Sequence, residues 1–115
     1  MKLADLQLSS RDRAVVARVT GEIDLSNAGY LERTLLEATP NDTISLVLDL
    51  SELDYLDSAG IQIIYRIRES LRSRGQILAL VIPSTSPANA ALRLAGVDRH
   101  VDAVETIDDA LRGSA

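Results

Sequence analysis

The stretch "LDLSELDYLDSAGIQII", Leu48 to Ile64, gathers the residues with the most chemistry to offer. Asp49, Glu52, Asp54 and Asp57 follow one another with no basic residue between them, and Ser58 comes directly after the last acid. Beyond Ser58 the chain turns apolar. Four chemistries use such a pattern: a helix cap, a nucleophilic hydroxyl, an oxygen-ligated metal site and a phosphoacceptor.

Spacing alone favours the cap. The apolar run 43–50 precedes the acids and an amphipathic run, 57–75, follows them, so Asp57 and Ser58 fall where a helix begins. Asp and Ser side chains accept hydrogen bonds from the N–H groups that a first helical turn leaves unpaired. A nucleophile elbow needs glycine two residues before the serine, and Leu56 holds that place. The one histidine, His100, lies in the C-terminal segment and reads as a surface residue after a helix, which disfavours a Ser-His-Asp hydrolase. A receiver-like phosphoaspartate at Asp49 would need a positioned lysine, and the only lysine is Lys2. Asp49, Asp54 and Asp57 offer the oxygen ligands that hard cations prefer. The simpler reading is a solvated acidic loop with Asp49 at a strand end, and no metal or other cofactor is expected.

Phosphorylation of Ser58 is compatible with the cap. A phosphate carries about −1.5 to −2 charges near neutral pH. Free N–H groups and the positive dipole end of a helix N-terminus accommodate that charge. A partner docked over the same spot would meet it beside Asp54 and Asp57, at a cost in repulsion and desolvation.

The elements that must position these residues alternate along the chain. Runs 2–8 and 13–21 read as strands, the second rich in Val and closed by Gly21. Run 26–39 has Ala28, Leu31, Leu35 and Ala38 at helical spacing, with Asp24 or Ser26 as its N-cap. Run 43–50 is almost continuously apolar, as in a strand covered on both faces. Helix 57–75 places Gly60, Ile64, Ile67 and Leu71 on one face, with Ile63 beside them, and Gln62, Arg66, Glu69 and Ser73 opposite. Gly75 is its stop signal. Run 76–82 is a second buried strand. Run 86–96 is a short helix with Ser86 as cap, Pro87 at its first position and Gly96 after its end. Run 100–105 is a short strand, and 106–113 is a helix with Thr106 as cap and Asp109 three residues on. The expected order is β-β-α-β-α-β-α-β-α. The fold class is α/β: a mixed four- to five-stranded sheet with about four helices packed on it, in one domain over residues 1–115.

Composition bounds the function. The chain has 115 residues, 46% hydrophobic and 25% charged, the balance of an ordinary globular domain. It has no cysteine, which removes disulfides, thiolate metal sites and cysteine nucleophiles. A net charge of −5 argues against nucleic acid as a partner, since phosphate binding needs a basic footprint. The one basic cluster is Arg66, Arg68, Arg72 and Arg74, with Glu69 inside it. No apolar run approaches the ~18 residues of a membrane span, and the N-terminus lacks an apolar signal core. A cytoplasmic location is expected.

Three stretches together resemble the STAS domain, and most of all the bacterial anti-sigma factor antagonists: "VVARVTGEIDLSNAGYLERTLLEA", "SLVLDLSELDYLDSAGIQII" and "RGQILALVIPSTSPANAALRLAGVDRHVDAVETIDDAL". The paired signals Gly-Glu-Ile-Asp at 21–24 and Asp-Ser-Ala-Gly at 57–60 carry the resemblance. It implies a partner-switching regulator of transcription and not an enzyme. In that family the unphosphorylated antagonist binds an anti-sigma factor that is also a serine kinase, the kinase phosphorylates the motif serine, and a serine phosphatase reverses the step. By position, the acceptor is Ser58, preceded by Asp57, and Asp24 falls in the loop associated with kinase contact. Two departures stand out. Ala59 replaces a second hydroxyl residue found in many members, and Gln62 replaces a common glycine. Ile61 and Tyr65, one turn apart, flank the polar stripe of the same helix and read either as core edge or as an apolar contact patch extended by Arg68 and Arg72. Tyr55 carries the same ambiguity. The implied partner surface is Asp24, Asp57, Ser58, Ala59, Ile61, Gln62 and Tyr65. A competing reading is a STAS structural subunit of a lipid transporter complex or sensory scaffold, with Ser58 only a helix cap.

Overall fold

The computed structural model describes residues 4–113. The chain runs β1 (Ala4–Arg11), β2 (Ala14–Ile23), α1 (Ala28–Glu37), β3 (Ser45–Asp49), β4 (Leu53–Leu56), α2 (Ser58–Ser73), β5 (Ile77–Val81), α3 (Asn89–Leu94), a 3-10 turn (Val97–Arg99), β6 (Asp102–Val104) and α4 (Ile107–Gly113). β1 and β2 form an antiparallel hairpin joined by Asp12 and Arg13, and the remaining pairings are parallel. The strand order is β1-β2-β3-β5-β6, with β4 also paired to β2. Asp12 takes the positive φ of the turn, 54°, a conformation that Asp tolerates better than most residues.

β2 serves two neighbours in succession. Its first half, Ala14–Arg18, pairs with β3, and its end, Gly21–Ile23, pairs with β4. The change falls at Gly21, whose φ is 92°, a value that only glycine adopts without strain. Between Gly21 and Glu22 the register jumps from Leu53 to Tyr55, so Asp54 is an extra, bulged residue on β4.

Alternation along the strands sorts side chains to two faces. Val15, Ala17, Val19, Leu46, Leu48, Leu78 and Leu80 point to one face, where Leu31 and Leu35 of α1, Ile64, Ile67 and Leu71 of α2 and Leu92 of α3 close the main core. Val16, Val47, Ala79 and Val81 point to the other and pack under Ala110, Ile107 and Leu111 of α4. Helices on both faces explain why β3 and β5 are almost uniformly apolar. The polar exceptions are the two ends of β3, Ser45 and Asp49, both buried. Asp49 lies on the α4 face, and its carboxylate accepts a hydrogen bond from Ser51 N–H at 3.0 Å.

The sheet has six strands where four or five were expected, because the acidic loop contains β4. The bulge hid it. Leu53 and Leu56 are buried while Asp54 and Tyr55 between them are exposed, so the period-two signal is broken. Three other expectations change. The first strand is Ala4–Arg11, and Lys2 and Leu3 lie outside the described residues. Helix 26–39 begins at Ala28, capped by neither Asp24 nor Ser26. Ser86 does not cap α3 with its side chain: its Oγ is buried without a partner, and only its carbonyl accepts from Asn89 N–H. Asn89 instead anchors that helix, donating to the Ile82 carbonyl at 2.8 Å and accepting from Arg93 at 3.1 Å. Thr106 does cap the last helix, accepting from Asp109 N–H at 3.0 Å.

Candidate functional site

The site is the N-terminal end of α2, set against the ends of β2 and β4. Asp57 N–H donates to the Ile23 carbonyl at 3.2 Å, which ties the start of the helix to the end of β2. The backbone of Asp57 is extended, with φ −103° and ψ −169°, as an N-cap requires. Its Oδ1 accepts from Ala59 N–H at 2.9 Å and from Gly60 N–H at 3.2 Å. The cap is therefore Asp57. Ser58 is the first helical residue, it is exposed, and its hydroxyl has no partner within the described chain. The sequence left the cap open between these two; the fold divides the labour and leaves Ser58 free for chemistry. Asp57→Ala removes the cap and should lower the unfolding free energy by about 1 kcal/mol, readable in urea unfolding as a lower midpoint at unchanged slope.

Gly60 sets how closely the helix approaches the sheet. A Cβ there would lie 3.1 Å from Leu56 Cβ and 3.2 Å from Ile23 Cγ2. Both neighbours are buried core residues with little room to move. Gly60→Ala should therefore cost about 1–3 kcal/mol through overpacking, although alanine is the better helix former. A thermal melt checks it: a raised midpoint would show that α2 can retreat without loss.

Asp24 follows Ile23, and Asp57 follows Leu56, the residue with which Ile23 pairs. The two acids thus leave neighbouring, parallel strand ends side by side. The Asp24 carboxylate accepts from the backbone and hydroxyl of Ser26, and Asn27 Oδ1 accepts from Asp24 N–H at 2.9 Å. Asn27 Nδ2 donates to the Glu22 carbonyl at 2.9 Å. This closed network fixes the loop and holds Leu25 outward, 82% exposed. Leu25 has little prominence in the sequence; its one signal is an apolar residue standing alone within the polar segment "DLSN".

Along α2, Gln62 is exposed, Ile61, Tyr65 and Arg68 are half-buried, and Arg72 is exposed. Ala59, Ile61 and Tyr65 all pack against the edge of the main core. They are core edge and surface at once. The Tyr65 ring also meets the His100 ring edge-on, with centroids 5.7 Å apart, so the histidine belongs to the flank of α2. The half-exposed Tyr55 borders the site on β4. Of the basic cluster, Arg66 pairs with Glu32 of α1 at 3.1 Å and Arg72 with Glu69 at 3.6 Å. Arg74 donates to the Thr39 carbonyl at 3.0 Å, which binds the C-terminal end of α1 to α2. Arg66 and Arg74 thus brace α1 against α2, whereas Arg72 pairs within α2 itself.

Among the described residues no group of three His, Asp or Glu side chains is arranged to hold a metal ion. The acids of the 49–57 stretch are instead dispersed. Asp49 is buried toward α4, Glu52 pairs with Arg18, Asp54 is bulged into solvent and Asp57 caps α2.

The STAS domain family matches this chain over residues 5–110. The chain belongs to the STAS domain family. An anti-sigma-F factor antagonist of Mycobacterium tuberculosis, RsfB, is 30% identical over 107 residues, which is 92% of this chain and 85% of that protein. The crystal structure of an anti-sigma factor antagonist from Mycobacterium paratuberculosis superposes with a TM-score of 0.84 at 27% identity, covering 96% of this chain and 93% of the other. The unphosphorylated form of the antagonist SpoIIAA shares the fold, with a TM-score of 0.72 at 17% identity over 95% of this chain and 96% of the other. In this STAS domain the two motif segments, 21–24 and 57–60, are the facing ends of β2 and of the β4–α2 junction. Gly21 bends the strand, and Gly60 admits the helix. No described helix is long and apolar enough to cross a membrane.

Proposed function

We propose that this STAS domain is an anti-sigma factor antagonist, acting by partner switching in the cytoplasm and not as an enzyme. Unmodified, it binds an anti-sigma factor that is also a serine kinase. Phosphorylation of Ser58 releases it, and a serine phosphatase restores it. The observation that carries the reading is the division between Asp57 and Ser58: one caps α2, and the other stands exposed at its first position with a free hydroxyl. The similarity to proteins named as anti-sigma factor antagonists supports the same conclusion.

The partner surface of this reading is Asp24 and Asp57 on the strand ends, Ser58 and Ala59 at the helix start, and Ile61, Gln62 and Tyr65 along its flank. Leu25 and Tyr55 extend it with exposed apolar area. Ala59 leaves Ser58 as the single acceptor of the motif, so kinase and ATP should place one phosphate on the chain. Phosphosite mapping by mass spectrometry checks this. One phosphate on Ser58, lost in Ser58→Ala, is the expected result; modification elsewhere in Ser58→Ala at the wild-type rate would overturn the assignment.

A further inference from the structure

We propose that β1 is a self-pairing edge, through which two copies of this chain join antiparallel into one continuous sheet. This inference stands apart from the switching role of Ser58. β1 ends the strand order, so its outer side has no neighbour within the described chain. It is eight residues long and pairs with β2 in unbroken register from Ala4 to Arg11. Natural edges usually carry a bulge, a proline or a central charge that blocks pairing. Between Leu6 and Ser10 this one carries none of them. Leu8, in the middle, is 48% exposed.

The backbone fixes which groups face outward. The two-residue connection Asp12–Arg13 closes on the pair Arg11↔Ala14, which such a turn makes a hydrogen-bonded pair. Bonding then alternates along the strand. Arg11, Ser9, Gln7 and Asp5 bond to β2, while the N–H and C=O groups of Ser10, Leu8, Leu6 and Ala4 point away from the sheet.

An antiparallel second copy must set outward groups against outward groups, so even-numbered residues oppose even-numbered ones. The register centred on Leu8 does so. It places Leu8 against the second copy's Leu8, Leu6 against Ser10 and Gln7 against Ser9. It also places Asp5 against the second copy's Arg11, twice by symmetry. Opposite charges and apolar pairs directly across an antiparallel ladder are both favourable. Moving the centre to Gln7 would keep the backbone bonds but set Asp5 against Ser9 and lose both charge pairs. The strand is thus complementary to itself in one register, as a two-fold interface requires.

Sedimentation and cross-linking test the proposal on the whole chain. The wild type should show a concentration-dependent rise from monomer to dimer mass up to about 200 µM, the weak association expected of an interface below about 1,200 Å². Leu8→Pro removes an outward N–H and spares the β1–β2 bonds; it should weaken association at least tenfold. Arg11→Asp should weaken it as well, and the swap Asp5→Arg with Arg11→Asp should restore it, which keeps the test decisive should the proline variant not fold. Because the chain lacks cysteine, Leu8→Cys reports the register directly. Its two-fold mates would have Cα atoms about 5.5 Å apart, within disulfide range, whereas those of Gln7→Cys would be more than about 7 Å apart. With oxidised glutathione, Leu8→Cys should cross-link to a dimer much faster than Gln7→Cys. A wild type that stays monomeric throughout, a dimer unaffected by both Leu8→Pro and Arg11→Asp, or equal cross-linking of the two cysteine variants would overturn the proposal.

Discussion

Ser58→Asp should weaken binding to the anti-sigma factor kinase by at least about thirtyfold, while Ser58→Ala binds within about threefold of wild type. The expectation rests on where the charge lands. Residue 58 is exposed at the first position of α2, directly after Asp57, and Asp24 follows the neighbouring strand end. A further carboxylate there is favourable to the helix itself, by roughly 0.3–1 kcal/mol, because it faces the positive end of the dipole. The fold should therefore melt within a few degrees of wild type. An interface formed over the same spot must strip water from the new charge and set it among existing acids. Misplaced charge in an interface costs several kcal/mol, and each 1.4 kcal/mol is about tenfold in affinity. Titration calorimetry with the partner kinase measures it. Equal affinity of Ser58→Asp and wild type would place the partner elsewhere on the molecule.

The second large effect is on stability alone. Ile64 lies two turns along the same helix with no exposed surface, among the residues that close the main core. Ile64→Ala removes its outer atoms and leaves a hole bounded by well-packed neighbours, at a cost of about 2–5 kcal/mol. Domains of this size hold only about 5–15 kcal/mol in total, so the thermal midpoint should fall by about 10 °C or more. Binding of the folded fraction at low temperature should stay close to wild type, because Ile64 reaches no surface. The two variants thus separate recognition from folding on a single helix: one alters affinity at constant midpoint, and the other alters midpoint at nearly constant affinity. A drop of only a degree or two for Ile64→Ala would mean that the α2 face of the core is loosely packed.

How far the sequence discloses this arrangement differs from element to element. α2 is legible in all but the choice of its cap. Its apolar positions fall on one face, and Gly75 ends it in the left-handed conformation, with φ 73°. β3 and β5 are legible because both of their faces are covered, which removes polar residues almost completely. β4 is not, because the bulge at Asp54 destroys its alternation and its partner lies thirty residues earlier, on the far side of the bend at Gly21. The loop after β2 misleads for a related reason. Asp24 and Ser26 have the composition of a cap, yet they spend their hydrogen bonds on each other and on closing the turn, and Asn27 holds the loop to Glu22. Side chains of one type can satisfy a helix end or a turn, and only the path of the backbone decides which. At the start of α2, Asp57 and Ser58 are adjacent residues with interchangeable cap propensities, and the cap is decided by the bonds from Ala59 N–H and Gly60 N–H to Asp57 Oδ1 and from Asp57 N–H to the Ile23 carbonyl.

The central claim is that a phosphate on Ser58 switches partner binding without unfolding the domain. One measurement tests it most directly: the affinity of the anti-sigma factor kinase for this chain, phosphorylated to one phosphate per molecule, and again after phosphatase treatment of the same sample. Phosphorylation should weaken binding by at least about a hundredfold, since phosphate carries up to about twice the charge of Asp, with full recovery after dephosphorylation and a melting midpoint that moves by only a few degrees. Equal affinity of the two forms, or a loss of binding accompanied by unfolding, would contradict it.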